Sequence, residues 1–453
     1  MLNKALPIAS LLFIASCSEE PDTQMPTDLS SLVEYNAIIS EIPQDLFPQE
    51  ARGNSFETNS PYFVVKDNIH ISGIANTAGT PSLRSFIPAA NSVVVQRLID
   101  AGAIPLAKTN MHELAFGITS NNAAFGPVRN FYDPSRFAGG SSGGTAVAIA
   151  SGLVDWGLCT DTGGSCRIPA AFNGIVGFRP SPGRYPSEEV TPLSHTHDTI
   201  GLMAQNANLL ADIDAIVTGE SIPPNTASSP LRLGISRGYF YENIEPAVLE
   251  SINAYLEKLR SSGVEIVELD ISSYVERTNS TSDTIVIYEA LGDLRSYLQK
   301  FYPQLSLEEL VSQIASPDVL ATLELIISEP FSLQDYTQAI ALRDELIVEV
   351  TEFYAENGII ALAYPTIPVT ARSINEESDM LNLNGESVST FATVKNNTNP
   401  ASLLGLPAIT LPSGATSNGL PVGLELAGPR GSDRNLLGLA IKIQALFKES
   451  GSN

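Results

Sequence analysis

The chain is poor in basic residues, cysteine and histidine, and each shortage excludes a class of function. Its 453 residues contain 25 Lys and Arg against 50 Asp and Glu, a formal net charge of −25, and a surface of that sign repels nucleic acid. The three cysteines form no CxxC pair and the four histidines no HExxH motif. His195-Thr196-His197-Asp198 is better explained as a loop that caps neighbouring elements than as a metal site. We therefore expect no nucleic-acid partner, no metal and no cofactor.

Long apolar runs are missing as well, since no segment after the N-terminus has the roughly 18 apolar residues that a membrane-spanning helix needs. The N-terminus has Lys4, a short apolar stretch over residues 5–15, and then Cys17. This pattern indicates a signal peptide, and the segment Ile14-Ala15-Ser16-Cys17 resembles the lipobox of bacterial lipoproteins. We expect lipidation at Cys17 and an exported protein, anchored to a bacterial membrane on the periplasmic or cell-surface side. The alternative is an ordinary signal peptide that contains a cysteine.

The remaining cysteines, Cys159 and Cys166, lie seven residues apart in an apolar, glycine-rich stretch. An oxidising compartment would allow a disulfide between them. Free cysteine is also among the most buried residue types and packs as a small hydrophobe. Of these alternatives, we favour two buried thiols.

The predicted signal peptide is the first of three parts into which we divide the chain. We expect a signal peptide over residues 1–17, a flexible linker over 18–33 and one folded domain over 34–450, in which residues 270–350 form a helical, variable part. Within the domain, residues 231–269 have the pattern of a strand, a helix and a strand. Such a βαβ unit implies that its two strands are parallel neighbours.

Two loops place serine beside paired glycines. Consecutive N–H groups in a glycine-rich turn can converge on one point, which suits a developing oxyanion. A phosphate loop would need Lys after its last glycine, and a dinucleotide loop would need GxGxxG after a strand, so phosphate binding is a weak interpretation. The two loops are Gly139-Gly140-Ser141-Ser142-Gly143-Gly144 and Asp161-Thr162-Gly163-Gly164-Ser165.

The base that activates such a serine could be histidine or lysine. A Ser-His-Asp hydrolase needs a histidine within reach of the serine, and the chain offers only His70, His112, His195 and His197 for that role. A lysine can take this role when burial lowers its pKa far enough to keep it neutral. Lys66 follows an apolar strand-like run, and so does Lys108. The residues by themselves therefore do not decide which of the two lysines is the base.

Taken together, these motifs resemble the amidase signature family over residues 62–205 and 361–436. The resemblance implies an α/β fold with a single large mixed, mostly parallel, twisted β-sheet that helices cover on both faces. The segments that carry it occur in the same order as in the family: Val64-Val65-Lys66-Asp67-Asn68, Ala107-Lys108-Thr109-Asn110, the two Gly/Ser loops, Gly177-Phe178-Arg179-Pro180, Asp198-Thr199-Ile200-Gly201, Tyr364-Pro365-Thr366, Leu406-Pro407-Ala408 and Leu420-Pro421-Val422-Gly423.

The resemblance also implies a Ser-Ser-Lys triad. Lys66 is then the base, Ser141 the bridging serine and Ser165 the nucleophile, while Lys108 is structural or near the pocket. A cis peptide is expected at the bridging serine, where Gly140 eases the steric demand. No metal or cofactor takes part in this chemistry.

Further residues are implied around the triad. Ser142 is expected to support the geometry through hydrogen bonds. Asp161 and Arg167 are expected to pair in the interior, since a buried charge without a partner is costly. Backbone N–H groups are expected to hold the oxyanion, and they belong to Thr162, Gly163 and Gly164.

The activity implied is hydrolysis of the C–N bond of a small carboxamide to acid and ammonia through an acyl-enzyme. Residues 111–122 and 184–186 look most like the mandelamide and indoleacetamide hydrolase branch of the family, which implies an aryl or arylacetic substrate. One alternative is an amidotransferase-type subunit that transfers ammonia, but the leader and the negative charge disfavour a tRNA partner. Another is a non-catalytic surface lipoprotein, which the intact lysine and serines disfavour. The oligomeric state stays open, with a homodimer as one option.

Overall fold

The computed structural model describes residues 32–46, 58, 60–220, 231–375 and 379–448. The predicted signal peptide, Cys17 and residues 18–31 of the predicted linker lie outside the described residues. Leu32 is only 2% exposed and packs in the core, so the folded part includes the last residues that were assigned to the linker. Within the described ranges, every helix is too short or too polar to cross a membrane.

Fifteen strands occur in the described part of the chain, and eleven of them form one sheet. The other four form two small antiparallel pairs, β4 with β5 and β12 with β13. The strands are β1 (Ile38–Glu41), β2 (Tyr62–Lys66), β3 (Ile104–Thr109), β4 (Asn121–Asn122), β5 (Gly126–Pro127), β6 (Trp156–Asp161), β7 (Val176–Arg179), β8 (Thr199–Ala204), β9 (Arg232–Ile235), β10 (Glu265–Glu268), β11 (Ala361–Pro365), β12 (Met380–Leu383), β13 (Glu386–Ser389), β14 (Ala408–Ala415) and β15 (Pro421–Ala427).

Fourteen α-helices accompany these strands in the described ranges, together with short 3-10 turns. Five of the helices follow one another between β10 and β11, in the part of the chain that was predicted to be helical. The helices are α1 (Val93–Asp100), α2 (Gly143–Ala150), α3 (Arg167–Phe172), α4 (Ala207–Thr218), α5 (Arg237–Phe240), α6 (Pro246–Ser261), α7 (Ser272–Val275), α8 (Thr278–Phe301), α9 (Leu307–Ser312), α10 (Pro317–Ser328), α11 (Leu333–Asn357), α12 (Thr390–Lys395), α13 (Asn399–Leu404) and α14 (Asp433–Lys448).

The large sheet has the strand order β1-β3-β2-β6-β8-β7-β14-β15-β11-β9-β10 and is mixed, as predicted. Six of its ten neighbouring pairs are antiparallel and four are parallel, so the prediction of a mostly parallel sheet is wrong. One reason is that β14 and β15 are joined by residues 416–420, and so short a connection allows only an antiparallel pair. The predicted βαβ unit is confirmed, since β9 and β10 are parallel neighbours with α6 between them in sequence.

Both faces of the sheet are buried under helices. Alternate side chains of a strand point to opposite faces, and in β2 Phe63 and Val65 join one core cluster while Tyr62 and Val64 join another. Helix α2 packs on the second face, and α1, α4, α6 and α14 contribute to the core on the first. The expectation of helices on both faces is therefore confirmed, and the ends of β2 and β6 lie deep between the layers.

Glycine is required where α2 enters this packing. A Cβ at Gly144 would lie 2.5 Å from the carbonyl oxygen of Asn110 and closer still to that of Ala37. Both neighbours are backbone atoms, which cannot move aside as a flexible side chain could. The N–H of Gly144 also donates to the Asn110 carbonyl at 3.0 Å, so the close approach is fixed by a hydrogen bond.

We predict that Gly144→Ala lowers the free energy of unfolding by about 3 kcal/mol, because the new methyl group overpacks a rigid contact. The matched control is Gly292→Ala in the exposed middle of α8, where no atom lies within 4 Å of the added Cβ. That substitution should stabilise the fold by up to about 1 kcal/mol, since alanine is the better helix former. Urea unfolding of the two variants measures both values, and equal midpoints would contradict the argument.

Candidate active site

Lys66 is the last residue of β2 and is fully buried. Its Nζ lies 2.7 Å from Ser141 Oγ and 2.7 Å from Thr160 Oγ1. Burial lowers the pKa of Lys66 from 10.5 to about 7, although the carboxylates of Asp161 and Asp198 oppose the shift. Near neutral pH much of this amine is therefore unprotonated and can accept a proton from a hydroxyl that touches it.

Ser141 lies in the first Gly/Ser loop, two residues before α2 begins at Gly143. The peptide between Gly140 and Ser141 is cis, as the resemblance implied. The Ser141 carbonyl accepts a hydrogen bond from the N–H of His112 at 3.0 Å, and its side chain is fully buried. These contacts aim the Ser141 hydroxyl at Lys66 and away from solvent.

Ser165 lies in the loop between β6 and α3, and Asp161 organises this loop. One carboxylate oxygen of Asp161 accepts the N–H of Gly164 at 2.9 Å, and the other accepts the N–H of Cys166 at 3.2 Å. Ser165 is thus flanked by two residues that bind the same carboxylate. The N–H of Ser142 donates to the Ser165 carbonyl at 3.3 Å, which brings the two Gly/Ser loops together.

The predicted pair of Asp161 and Arg167 is present and bidentate, with Nε and Nη2 of the guanidinium each 3.0 Å from a carboxylate oxygen. Arg179 Nη1 adds a further contact at 3.0 Å. Burial by itself would raise the pKa of Asp161, but the two guanidinium groups outweigh it and hold that pKa well below its usual range. Arg167 also donates to Glu425 at 2.5 Å, so the network reaches β15.

Sequence reasoning gave no role to Arg179 or Glu425. Each lies in a strand whose residues are all buried, β7 for Arg179 and β15 for Glu425. Charged residues are almost never fully buried unless they are paired. A single charge inside an apolar strand was therefore the signal that could have found both. Thr160, which bonds Lys66, carries no comparable signal because threonine is common in strands.

The oxyanion prediction needs a correction at Gly164. Its N–H donates to Asp161 and points into the interior network, so it is already engaged. Thr162 and Gly163 lie with Ser165 at the wall of a cavity. Of the three predicted donors, the N–H groups of Thr162 and Gly163 are the ones that this geometry leaves as candidates. Ser142, predicted to support the geometry, donates its hydroxyl to the Thr160 carbonyl at 3.3 Å.

Lys108 has different surroundings. Its Nζ lies 3.3 Å from Asp67 Oδ1 and donates to the carbonyl of Ile69 at 2.7 Å and to Asn76 Oδ1 at 3.0 Å. All of these groups stabilise an ammonium ion rather than a free amine. The two lysines that the residues alone could not separate are thus separated by their partners, since Lys66 faces hydroxyl groups and Lys108 faces a carboxylate.

The expectation of two buried thiols is wrong, because Cys159 and Cys166 form a disulfide. Cys159 lies in β6 and Cys166 directly follows Ser165, with the two Cα atoms 5.6 Å apart. That separation is ordinary for a disulfide. Spacing in the sequence could not decide the matter, because the loop must fold back onto β6 before the sulfur atoms meet.

A cavity of about 480 Å³ opens beside Ser165. Its walls are mostly apolar, and the helices between residues 278 and 328 supply part of them. Two pairs of polar side chains also line it, the Asp318 carboxylate with His112 Nε2 at 3.0 Å and the Asp283 carboxylate with Lys395 Nζ. The apolar lining comprises Ala115, Phe116, Ile118, Leu193, Val286, Ile287, Ala321, Ile326 and Phe391.

The loop over residues 194–198 closes the site on another side by bonding to α8. His195 contacts Asp293 through Nδ1 at 2.9 Å, and Ser194 Oγ donates to Glu289 at 2.5 Å. These contacts attach the loop to α8 through side chains of both elements. Asp198, in the same loop, accepts the Thr162 hydroxyl at 2.6 Å and so supports the turn before Ser165.

Comparison with known proteins places this geometry among related enzymes. Residues 62–437 match the model of the Amidase family. The chain is 38% identical to an indoleacetamide hydrolase of Agrobacterium vitis over 384 residues, 84% of this chain and 82% of that protein. It is 38% identical to a mandelamide hydrolase of Pseudomonas putida over 415 residues, 88% of this chain and 80% of that protein. A crystal structure of an amidase superposes with a TM-score of 0.80 at 33% identity, covering 92% of this chain and 93% of that one.

The pKa of Lys66 generates a prediction for the dependence of activity on pH. The unprotonated amine is the form that accepts a proton, so kcat/KM for an amide should be low in acid and rise to a plateau in mild alkali. The midpoint should lie near pH 7, where the buried amine loses its proton. Steady-state rates between pH 5 and 10 measure it, and a midpoint above pH 9 would contradict the role of a depressed lysine.

The control compares the two buried lysines. Lys66→Ala should lower kcat/KM by about 10²- to 10⁴-fold, the usual size of a general-base contribution. Lys108→Ala leaves Asp67 buried without its cation and should cost about 3–5 kcal/mol of stability. Protein of the Lys108 variant that remains folded should keep the midpoint near pH 7.

Proposed function

We propose that the chain, which belongs to the amidase signature family and hydrolyses carbon–nitrogen bonds other than peptide bonds, acts on small aryl or arylacetic carboxamides. It cleaves them to the acid and ammonia. The observation that carries the proposal is the 2.7 Å contact of Lys66 Nζ with Ser141 Oγ, beside the loop that presents Ser165 to an apolar cavity. The alternatives of an ammonia-transferring subunit and of a non-catalytic surface protein have no support, because the curated relatives are hydrolases of amides.

In the acylation step, neutral Lys66 takes the proton of Ser141, which takes the proton of Ser165. Ser165 Oγ then forms a bond to the amide carbon, and the carbonyl electrons move to oxygen. The N–H groups of Thr162 and Gly163 stabilise the resulting negative charge. When the C–N bond breaks, the proton held by the lysine and bridging serine passes to the leaving nitrogen, and ammonia departs.

In the second half of the reaction, water attacks the acyl-enzyme. The same lysine and bridging serine remove a proton from the water, and the acyl C–O bond to Ser165 breaks. The proton returns to Ser165 Oγ, so the enzyme is regenerated and the carboxylic acid leaves. Lys66 never needs to leave its buried position, because Ser141 conducts the proton between it and the reacting atoms.

The substrate class rests on the cavity and on the relatives. An aromatic ring is large and apolar, and the cavity walls are mostly apolar. The polar side chains in the wall are paired with one another, Asp318 with His112 and Asp283 with Lys395, which favours a neutral ring over a charged group. The names of the curated relatives also denote amides of arylacetic-type acids, namely indoleacetamide and mandelamide.

The location of the enzyme is part of the same proposal. We infer an exported protein that is anchored to the membrane by lipid on Cys17, with residues 1–17 as the leader. The Cys159–Cys166 disulfide supports export, because disulfides persist in oxidising compartments and are rare in reducing ones. The small amide would then be hydrolysed outside the cytoplasm.

The activity test uses the purified chain and a panel of aryl acetamides, aliphatic amides, anilides and amino-acid amides, with released ammonia as the measurement. We expect turnover of arylacetamides and a loss of at least about 10³-fold in Ser165→Ala, since the covalent step is removed. The variant should keep the wild-type circular dichroism spectrum. Undiminished turnover by Ser165→Ala would refute the nucleophile assignment.

The anchor is tested separately by growing cells that express the full chain with a radiolabelled fatty acid. Label should enter the wild-type protein and Cys166→Ala, but not Cys17→Ser, which lacks the thiol that is acylated. Equal label in Cys17→Ser would refute lipidation at that residue, and the activity proposal would be unaffected.

A further inference from the structure

The Cys159–Cys166 disulfide closes a short ring around the catalytic loop. Cys159 lies two residues before Asp161, and Cys166 is the residue directly after Ser165. Both cysteines are fully buried. The ring therefore contains the carboxylate that organises the loop, the proposed oxyanion donors and the nucleophile, and its disulfide ties the far end of the loop to β6.

The disulfide complements the hydrogen bonds in this loop. Asp161 holds the backbone N–H groups of Gly164 and Cys166, and Ser142 binds the carbonyl of Ser165. These bonds act on the backbone, whereas the disulfide fixes the Cys166 side chain against the strand. With both in place, the residue after the nucleophile is fixed through its main chain and its side chain.

The neighbouring strand leaves room for the disulfide. Gly201 of β8 lies directly opposite Cys159 in the antiparallel register. A Cβ at Gly201 would lie 2.5 Å from Cys166 Sγ and 3.2 Å from Cys159 Sγ. The Phe178 carbonyl oxygen would also lie 2.5 Å from that Cβ, so the two sulfur atoms and a backbone oxygen together fill the space that a side chain at this position would need.

We propose that the Cys159–Cys166 disulfide is a positioning device for Ser165, and that the protein reaches full activity only after the two thiols have been oxidised. The inference rests on the proposed function of Ser165 as nucleophile. It implies that the chain has little amidase activity in a reducing cytoplasm and becomes active in an oxidising compartment, where the proposed leader would deliver it.

The redox step is ordinary thiol–disulfide exchange. The thiolate of one cysteine attacks a disulfide-bearing oxidant, and a mixed disulfide forms as one thiol of the oxidant leaves. The second cysteine thiolate displaces the other oxidant sulfur, which closes the Cys159–Cys166 bond. The protein loses two electrons and two protons, and the oxidant is reduced to two thiols.

Loss of the disulfide should affect kcat more than KM. Cys159 and Cys166 lie outside the cavity wall, so substrate binding is left in place. The nucleophile, however, loses its tie to β6, and a misplacement of about 1 Å can cost about 10²-fold in rate. We expect kcat to fall by about tenfold to a hundredfold in Cys159→Ala/Cys166→Ala, with KM within about twofold of the wild type.

The first measurement is the state of the sulfur atoms in the purified full chain. The protein is denatured without reductant, treated with iodoacetamide and digested, and the peptide masses are measured by mass spectrometry. With a protease that cleaves on the N-terminal side of Asp161, a peptide pair joined through Cys159 and Cys166 is expected. Complete alkylation of both residues in exported, active protein would overturn the proposal.

The second measurement is the reactivity of Ser165 towards a fluorophosphonate, which phosphonylates an activated serine with loss of fluoride. The rate should fall with kcat in the double variant. It should also fall in the wild-type protein after reduction with dithiothreitol, which supplies the comparison if the double variant folds poorly. Labelling of the folded, disulfide-free protein at the oxidised wild-type rate would overturn the proposal.

The control is Leu439→Ala, a fully buried position in α14 remote from the site. It should lower the unfolding midpoint while kcat and the phosphonylation rate stay at wild-type values. If the disulfide were merely structural, its removal would likewise lower the midpoint and leave both rates unchanged. Different results would refute the nucleophile assignment of Ser165 and the positioning role of the disulfide. An oxidised wild type that does not react with the fluorophosphonate refutes the proposed nucleophile, whereas equal rates with and without the disulfide refute only the positioning role.

Discussion

The buried carboxylate of Asp161, bound by Arg167, Arg179 and two backbone N–H groups, is the interaction on which the rest of the site depends. Taking such charges out of water costs several kcal/mol per ion, and only close geometry with further hydrogen bonds offsets that cost. Here each group belongs to a different element: Asp161 ends β6, Arg167 begins α3 and Arg179 ends β7. The network therefore fixes the relative positions of two strands and a helix, and the loop of Ser165 is stretched between them.

The same interior explains why one lysine is a base and another is not. Lys66 and Lys108 are both fully buried, and burial lowers the pKa of each. Lys66 has hydroxyl partners, which tolerate a neutral amine, because the nearby carboxylate of Asp161 is paired with Arg167 and Arg179 instead. Lys108 has the carboxylate of Asp67, with which it forms a structural ion pair. The reactivity of a lysine is thus decided by its nearest neighbours rather than by its depth.

Much of the fold followed from local patterns. The βαβ unit and the helical segment before β11 depend on hydrophobic periodicity, which short windows of sequence contain, whereas the helices on both faces were implied by the family resemblance. The direction of most strands did not follow, and the sheet is more antiparallel than expected. Strand direction depends on how connections run over the sheet, and β6, β8 and β7 pair out of chain order. That arrangement is a property of the whole chain.

At the site, the sequence by itself determined the chemical inventory: two glycine-rich serine loops, two candidate lysines, and the aspartate and arginine that pair beside them. The family resemblance had assigned Lys66 as the base, and the tertiary structure shows its contact with Ser141. Only the tertiary structure decided that the Gly164 N–H is already bound to Asp161 and that Cys159 and Cys166 are joined. It also revealed Arg179 and Glu425, which lie far from Asp161 in the sequence. The physical reason is common to all of these. A pKa, a free N–H and a disulfide each depend on distances of a few ångströms between residues that only the packed sheet brings together.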